Sequence, residues 1–223
     1  MIKETAYEDN IPGWNDLSLR NSIKYVVFDP SFAGARPTIT DFWFDNMFNL
    51  ESITGLNYLN TEEVTSIRCM FCECQKLKSI DLSNFNTANV TNMAGMFMNS
   101  ENLKNIYVGD DWSTDAVTKS DEMFLGCTSL VGGMGTAYDP NHVDAEYAHY
   151  DGGASNPGYF GEKPDFKLGD VNGDGLVDIS DVTELIDAVL HGIPVDLSVG
   201  DMNFDGYIDV SDVTALISIV LGI

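Results

Sequence analysis

Basic residues are scarce: 11 Lys and Arg stand against 35 Asp and Glu, a net charge of -24 over 223 residues. So few cations exclude nucleic acid as a partner, because phosphate recognition needs clustered Lys and Arg. A like-charged membrane surface is disfavoured for the same reason. The shortage is complete at the C-terminal end, where residues 168–223 hold eleven Asp and Glu and no Lys or Arg. That much unpaired negative charge in a short segment repels itself unless cations neutralise it. Long apolar runs are missing too, so no membrane span is expected. Residues 1–10 are polar and lack the apolar centre of a secretory leader. The expectation is nonetheless export, with a leader removed and Met1 not the native start. Cysteine is limited to Cys69, Cys72, Cys74 and Cys127, too few to staple a chain of this size.

What the acidic segment does contain is a duplication with an offset of 31 residues: residues 170–181 lie over residues 201–212. Oxygen-bearing side chains fall at loop positions 1, 3, 5, 9 and 12, namely Asp170, Asn172, Asp174, Asp178 and Asp181, then Asp201, Asn203, Asp205, Asp209 and Asp212. Position 7, Leu176 or Tyr207, contributes only its backbone carbonyl oxygen. Calcium takes six to eight hard oxygen ligands, and this spacing wraps a 12-residue loop around one ion. Gly175 and Gly206 at position 6 permit the sharp turn. Two loops predict two calcium ions. Val177 and Ile208 at position 8 are expected to pair between the loops. After each loop an i, i+3, i+4, i+7 pattern predicts an amphipathic helix: Val182, Leu185, Ile186, Val189, Leu190, then Val213, Leu216, Ile217, Val220, Leu221.

These repeats resemble the type I dockerins, calcium-binding modules that dock to cohesin domains in extracellular polysaccharide-degrading assemblies. The resemblance covers residues 169–223 and every ligand position. It implies a cohesin-type protein partner and a contact surface at loop positions 10 and 11, where Ile179-Ser180 and Val210-Ser211 stand here. Ser180 and Ser211 fit the family; Ile179 and Val210 depart from its frequent Ser-Thr pair.

A second period runs through the N-terminal part. Trp43-Phe44, Met70-Phe71, Met96-Phe97 and Met123-Phe124 start units spaced 27, 26 and 27 residues apart. Seven residues after each start stands a Leu (Leu50, Leu77, Leu103, Leu130), and three further on come Ile53, Ile80, Ile106 and Gly133. Such a period predicts a leucine-rich-repeat-like solenoid with short strands, each turn burying its apolar columns on the next. Asn60-Thr61, Asn86-Thr87 and Ser113-Thr114 are placed to satisfy turn amides and carbonyls that no sheet pairs. The strings Met-Phe-x5-Leu, Leu-Ser-Asn-Phe-Asn-Thr and Asn-Val-Thr-Asn-Met resemble the BspA-like leucine-rich repeats of bacterial surface and secreted proteins. That resemblance implies an N-terminal cap at residues 25–32, a C-terminal cap at residues 151–160, and adhesion or binding of a host protein or glycan.

The expected fold class is therefore α+β, a solenoid followed by a small all-α calcium-binding helix-loop-helix pair. The expected organisation is an N-terminal segment 1–22, a capped repeat domain 23–162, a linker 163–168 and a dockerin-like domain 169–223. Cys69, Cys72 and Cys74 lie close enough for a soft metal, but no His stands near to complete a tetrahedron. His142, His149, Asp139, Asp144 and Asp151 form a second, polar cluster in the C-terminal cap. No nucleophile–base order, nucleotide loop or zinc-protease helix appears. The expectation is a secreted or cell-surface binding protein rather than an enzyme. The alternative is a structural segment of a larger surface protein, in which the calcium module only caps the repeats.

Overall fold

The structure is a computed structural model that describes residues 13–16, 19–163, 167–204 and 206–223. The chain divides into two compact units, Met1–Lys163 and Pro164–Ile223. Most of the N-terminal segment expected over 1–22, and residues 164–166 of the expected linker, lie outside the described residues.

In unit 1 the repeat is built around a tight turn with two left-handed residues. One stands just before the Trp/Met-Phe pair: Phe42, Cys69, Gly95 and Glu122, with φ of 61, 51, 63 and 60°. The other stands three residues after the Trp or Met: Asn46, Glu73, Asn99 and Gly126, with φ of 59, 59, 58 and 79°. Gly and Asn tolerate this region best, and at Gly126 a Cβ would also fall 2.4 Å from Asn99 Oδ1. Inside the turn, the Phe amide donates to the repeat that follows: Phe44 N to Met70 O (3.0 Å), Phe71 N to Met96 O (2.8 Å) and Phe97 N to Met123 O (2.9 Å). The side chains of Phe44, Phe71, Phe97 and Phe124 stack at 5.4, 5.7 and 5.7 Å between ring centroids, nearly parallel and wholly buried. Edge-to-face contacts end the stack, from Phe28 on Phe44 and from Tyr159 and Phe160 on Phe124. Offset and edge-on aromatic pairs are both favourable, so the column is a continuous core.

Polar columns run beside it. Cys74 Sγ, Ser100 Oγ and Cys127 Sγ each donate to the carbonyl of a preceding Phe: Phe44 (3.3 Å), Phe71 (2.7 Å) and Phe97 (3.0 Å). Thr61 and Thr87 are buried and each both donates to and accepts from the next repeat, at Asn86 and Ser113. This is the satisfaction of turn groups that the Asn/Ser-Thr pairs anticipated.

The mixed α+β class holds, but the expected leucine-rich-repeat-like solenoid is corrected by the strands. They form two separate short parallel sheets. β1 (Tyr25–Val27) pairs β2 (Ser52–Thr54), while β3 (Ser79–Leu82), β4 (Asn105–Val108) and β5 (Phe160–Glu162) pair in that order. No ladder joins β2 to β3 among the described residues. After β2 the chain turns at Gly55 (φ 73°) into a 3₁₀ turn, Leu56–Tyr58, where β3 instead runs on to a fourth residue. At the fourth repeat Gly133 replaces the Ile, because β5 lies against it: a Cβ there would sit 2.9 Å from Gly161 Cα. A period of 26 or 27 residues fixes which side chains stack; it does not fix strand continuity.

Asp151 secures the closing segment of unit 1. Its carboxylate is buried and accepts from Met134 N (2.8 Å), Thr136 N (2.9 Å), Thr136 Oγ1 (2.6 Å) and Gly153 N (2.8 Å). Burial by itself would raise its pKa; the hydrogen bonds from Thr136, Gly153 and Met134 outweigh burial and hold the carboxyl far below the usual carboxylate range. A depressed native pKa adds stability that is complete above the unfolded value of about 3.9 and is lost as pH falls toward the native value. Asp151→Asn should therefore cost about 1–3 kcal/mol at pH 7, since an amide NH2 then faces buried donors. Denaturant melts should show the wild-type advantage shrinking below about pH 4. An advantage of the same size at every pH would show that the charge contributes nothing.

Unit 2 contains α1 (Ile179–His191), the single-turn α2 (Leu197–Gly200) and α3 (Val210–Leu221). Asp178 and Asp209 cap α1 and α3 in capping boxes completed by Asp181 and Asp212, and left-handed Gly192 and Gly222 end them. The core is small: Val182, Leu185, Met202, Val213 and Leu216 are buried, with Val177, Val189, Ile208, Ile217 and Val220 packed partly against them. Val177 and Ile208 thus share one core, although no strand-like bridge joins them among the described residues. The expected apolar faces are narrower than the periodicity indicates, for Leu190 and Leu221 are 73% and 63% exposed.

Candidate metal centre

Each acidic loop leads straight into a helix, and the same carboxylates serve both. In the first loop Asp170 is buried, with Oδ1 accepting from Asp174 N (3.0 Å) and Oδ2 from Gly175 N (2.9 Å). Asp181 is wholly buried; Oδ1 accepts from Asn172 N (3.1 Å) and Oδ2 from Asp178 N (2.9 Å). Asp174 accepts from Leu176 N (2.9 Å). The loop is therefore folded back on its own amides, with positions 1, 3, 5, 9 and 12 joined through one hydrogen-bonded chain.

The second loop repeats the pattern. Asp201 Oδ2 accepts from Gly206 N (2.9 Å), and Asp212, wholly buried, accepts from Asn203 N (3.3 Å), Met202 N (2.8 Å) and Asp209 N (2.9 Å). Asp205 lies outside the described residues. Leu176 and Tyr207 turn their side chains outward, at 61% and 74% exposure, as position 7 requires if only its backbone faces the loop. Gly169 and Gly200 were not singled out by the sequence reading, yet each lies under position 8 of its own loop. A Cβ at Gly169 would meet Val177 Cγ1 at 3.0 Å, and one at Gly200 would meet Ile208 Cδ1 at 2.8 Å.

Ser180 and Ser211 are exposed, and the structure gives them a loop role that the sequence did not reveal. Ser180 Oγ donates to Asp178 Oδ1 (2.7 Å) and accepts from Asn172 Nδ2 (2.8 Å). Ser211 makes the equivalent bonds to Asp209 (2.6 Å) and Asn203 (2.9 Å). Hydrogen bonds from the serine hydroxyl and backbone lower the pKa of both Asp178 and Asp209.

The donor set suits calcium. Every side chain at the five ligand positions is a hard oxygen donor, and each carboxylate keeps lone pairs beyond those its amide partners use. Four buried carboxylates, Asp170, Asp181, Asp201 and Asp212, lie in a segment without Lys or Arg, a concentration of negative charge that a bound cation would offset. Among the described residues no three His, Cys, Asp or Glu side chains gather into a compact metal cluster. The carboxylates are aimed at loop amides, and the chain supplies ligands rather than a finished cage.

The polar group in the C-terminal cap has structural partners instead. His142 bonds Glu146 (2.6 Å) and stacks on Tyr147, His149 bonds the Tyr150 carbonyl (2.8 Å), and Asp144 accepts from Glu122 N (2.8 Å). Asp139 accepts from Asn141 N (2.9 Å).

Two family models match the chain. The one described as Mycoplasma protein of unknown function, DUF285, matches residues 40–155. The one described as Dockerin type I domain matches residues 168–221. The repeats therefore match that first family, where the BspA-like leucine-rich repeats were expected. No curated protein and no solved structure matches the chain.

Proposed function

The chain belongs to the family described as Mycoplasma protein of unknown function, DUF285, and carries a dockerin type I domain; from that premise we propose that it is a secreted or cell-surface binding protein, not an enzyme. Unit 2 attaches it to a cohesin-type protein in a calcium-dependent manner, and unit 1 presents a surface for a host protein or glycan. Two calcium ions hold unit 2 together. One takes Asp170, Asn172, Asp174, the Leu176 carbonyl, Asp178 and Asp181; the other takes Asp201, Asn203, Asp205, the Tyr207 carbonyl, Asp209 and Asp212. Bound calcium supplies the positive charge that lets these carboxylates face one another.

The observation that carries the docking reading is the pair Ile179-Ser180 and Val210-Ser211. Ile179 and Val210 are 66% and 67% exposed at the first turn of α1 and α3, beside the loops that calcium would order. Large apolar side chains at equivalent exposed sites are what a protein partner buries. The test is capture of the full chain on immobilised cohesin domains. Ile179→Asp with Val210→Asp should reduce capture by roughly a hundredfold, as loss of two buried apolar anchors does, with helix content unchanged. Undiminished capture would remove these residues from the interface.

The site assignment carries its own prediction. Asp170→Ala and Asp201→Ala should each leave one calcium per chain where the wild type binds two, read by calorimetric titration. Two ions retained by either variant would overturn the ligand assignment.

A further inference from the structure

Four turns of identical design follow one another in unit 1, and only one of them carries cysteines at both ends. Each is closed by an i to i+3 backbone bond: Asp45 N to Phe42 O (3.3 Å), Cys72 N to Cys69 O (3.3 Å), Met98 N to Gly95 O (3.0 Å) and Leu125 N to Glu122 O (3.2 Å). Phe and Asp, Gly and Met, or Glu and Leu build the same turn, so the fold does not require Cys69 and Cys72. A turn closed in this way holds the Cα atoms of its first and last residues within about 7 Å, which overlaps the span of about 4.4–6.8 Å over which a disulfide bridges two residues.

We propose that Cys69 and Cys72 form a thiol-exchange site, at which Cys69 takes up a disulfide from a small-molecule disulfide donor and Cys72 resolves it into an internal Cys69–Cys72 disulfide. Three features divide the roles. Cys69 is partly exposed whereas Cys72 is buried, so an incoming disulfide meets Cys69 first. Gly95 in the next repeat leaves its sulfur room: a Cβ there would sit 3.0 Å from Cys69 Sγ. Cys69 Sγ donates to the Ala94 carbonyl (3.8 Å); the neighbouring Cys72 thiol, and then Arg68, lower the Cys69 pKa against its partial burial, while Cys69, burial and Asp45 together keep Cys72 protonated.

The other two cysteines differ in kind. Cys74 and Cys127 are wholly buried in the core, bonded to Phe44 and Phe97 carbonyls, and burial pushes both thiols up, Cys127 to about 12. They have neither access nor thiolate character.

The chemistry balances in two steps. The Cys69 thiolate attacks one sulfur of the donor R–S–S–R, forming Cys69–S–S–R and releasing RS⁻. Cys72, no longer beside a thiolate, gives its proton to RS⁻ and attacks Cys69 Sγ. The internal disulfide forms and the second RS⁻ leaves, taking a proton from solvent. Two protein thiols are oxidised and one donor disulfide is reduced to two thiols.

The test uses the full reduced chain and oxidised glutathione. Remaining thiols are alkylated, and the tryptic peptide spanning residues 69–76 is read by fragmentation mass spectrometry. The expected product has lost two hydrogens between Cys69 and Cys72, with Cys74 and Cys127 alkylated only after denaturation. Cys72→Ala should trap glutathione on Cys69, and Cys69→Ser should slow thiol loss by roughly tenfold or more. Circular dichroism confirms that each variant is folded, and Cys72→Ser replaces Cys72→Ala if that chain is not. Four thiols persisting in the wild type, glutathione appearing first on Cys74 or Cys127, or Cys69→Ser reacting at the wild-type rate would each overturn the proposal.

Discussion

In chelator the intact chain should lose the far-ultraviolet helical signal of α1 and α3 while unit 1 remains folded. The expectation follows from charge and from core size together. Asp170, Asp181, Asp201 and Asp212 are buried in a segment with no Lys or Arg, and an uncompensated buried carboxylate is costly. Against that, the buried apolar side chains of unit 2 among the described residues are few, Val182, Leu185, Ala188, Val199, Met202, Val213 and Leu216, a small core for a domain to rely on alone. A ligand that binds the folded state only adds about 4 kcal/mol when present at a thousand times its dissociation constant, enough for bound calcium to decide between folded and unfolded. Thermal melts with calcium should show two transitions, and chelator should remove one. Helical ellipticity unchanged by chelator would mean that the capping boxes and the small core suffice.

Phe97→Ala should destabilise unit 1 by about 3–5 kcal/mol, the range for truncating a buried Phe. Phe97 is wholly buried and touches an aromatic ring on each side, Phe71 and Phe124, both at 5.7 Å. Removing it leaves a hole that cannot collapse readily, because backbone bonds from Phe71 N to Met96 O and from Phe97 N to Met123 O hold the neighbouring turns at fixed separation. Chemical denaturation should give a lower midpoint without a change in slope. A loss under about 1 kcal/mol would mean the site relaxes as a surface residue does.

The sequence made the stacked columns legible because side-chain burial is periodic: Phe44, Phe71, Phe97 and Phe124, the Leu column and the Thr61/Thr87 pair all fall where the 26–27-residue spacing places them. The sheets were less legible. Strand continuity depends on local events, the turn at Gly55 and the Gly133–Gly161 approach, that period and composition do not encode. The left-handed residues were not read from the sequence; Gly95, Gly126, Asn46 and Asn99 carry a residue-type signal for that region, while Phe42, Cys69, Glu73 and Glu122 carry none.

In the loops, the proposed ligand positions follow from an oxygen pattern that needs no tertiary information. The second duties of those residues do not. Asp178 and Asp209 also cap helices, and Ser180 and Ser211 tie position 3 to position 9, through contacts that appear only once the loop is folded. Helical phase marks an apolar stripe without setting its width, so Leu190 and Leu221 share the phase of the core yet lie exposed.

The measurement that bears most directly on the docking function is capture of the full chain by a panel of immobilised cohesin domains while calcium is titrated from chelator to saturation. The account predicts no capture in chelator, and capture by at least one cohesin that rises over the same calcium range as the helical signal. Capture that is undiminished in chelator, or none by any cohesin at saturating calcium, would contradict it.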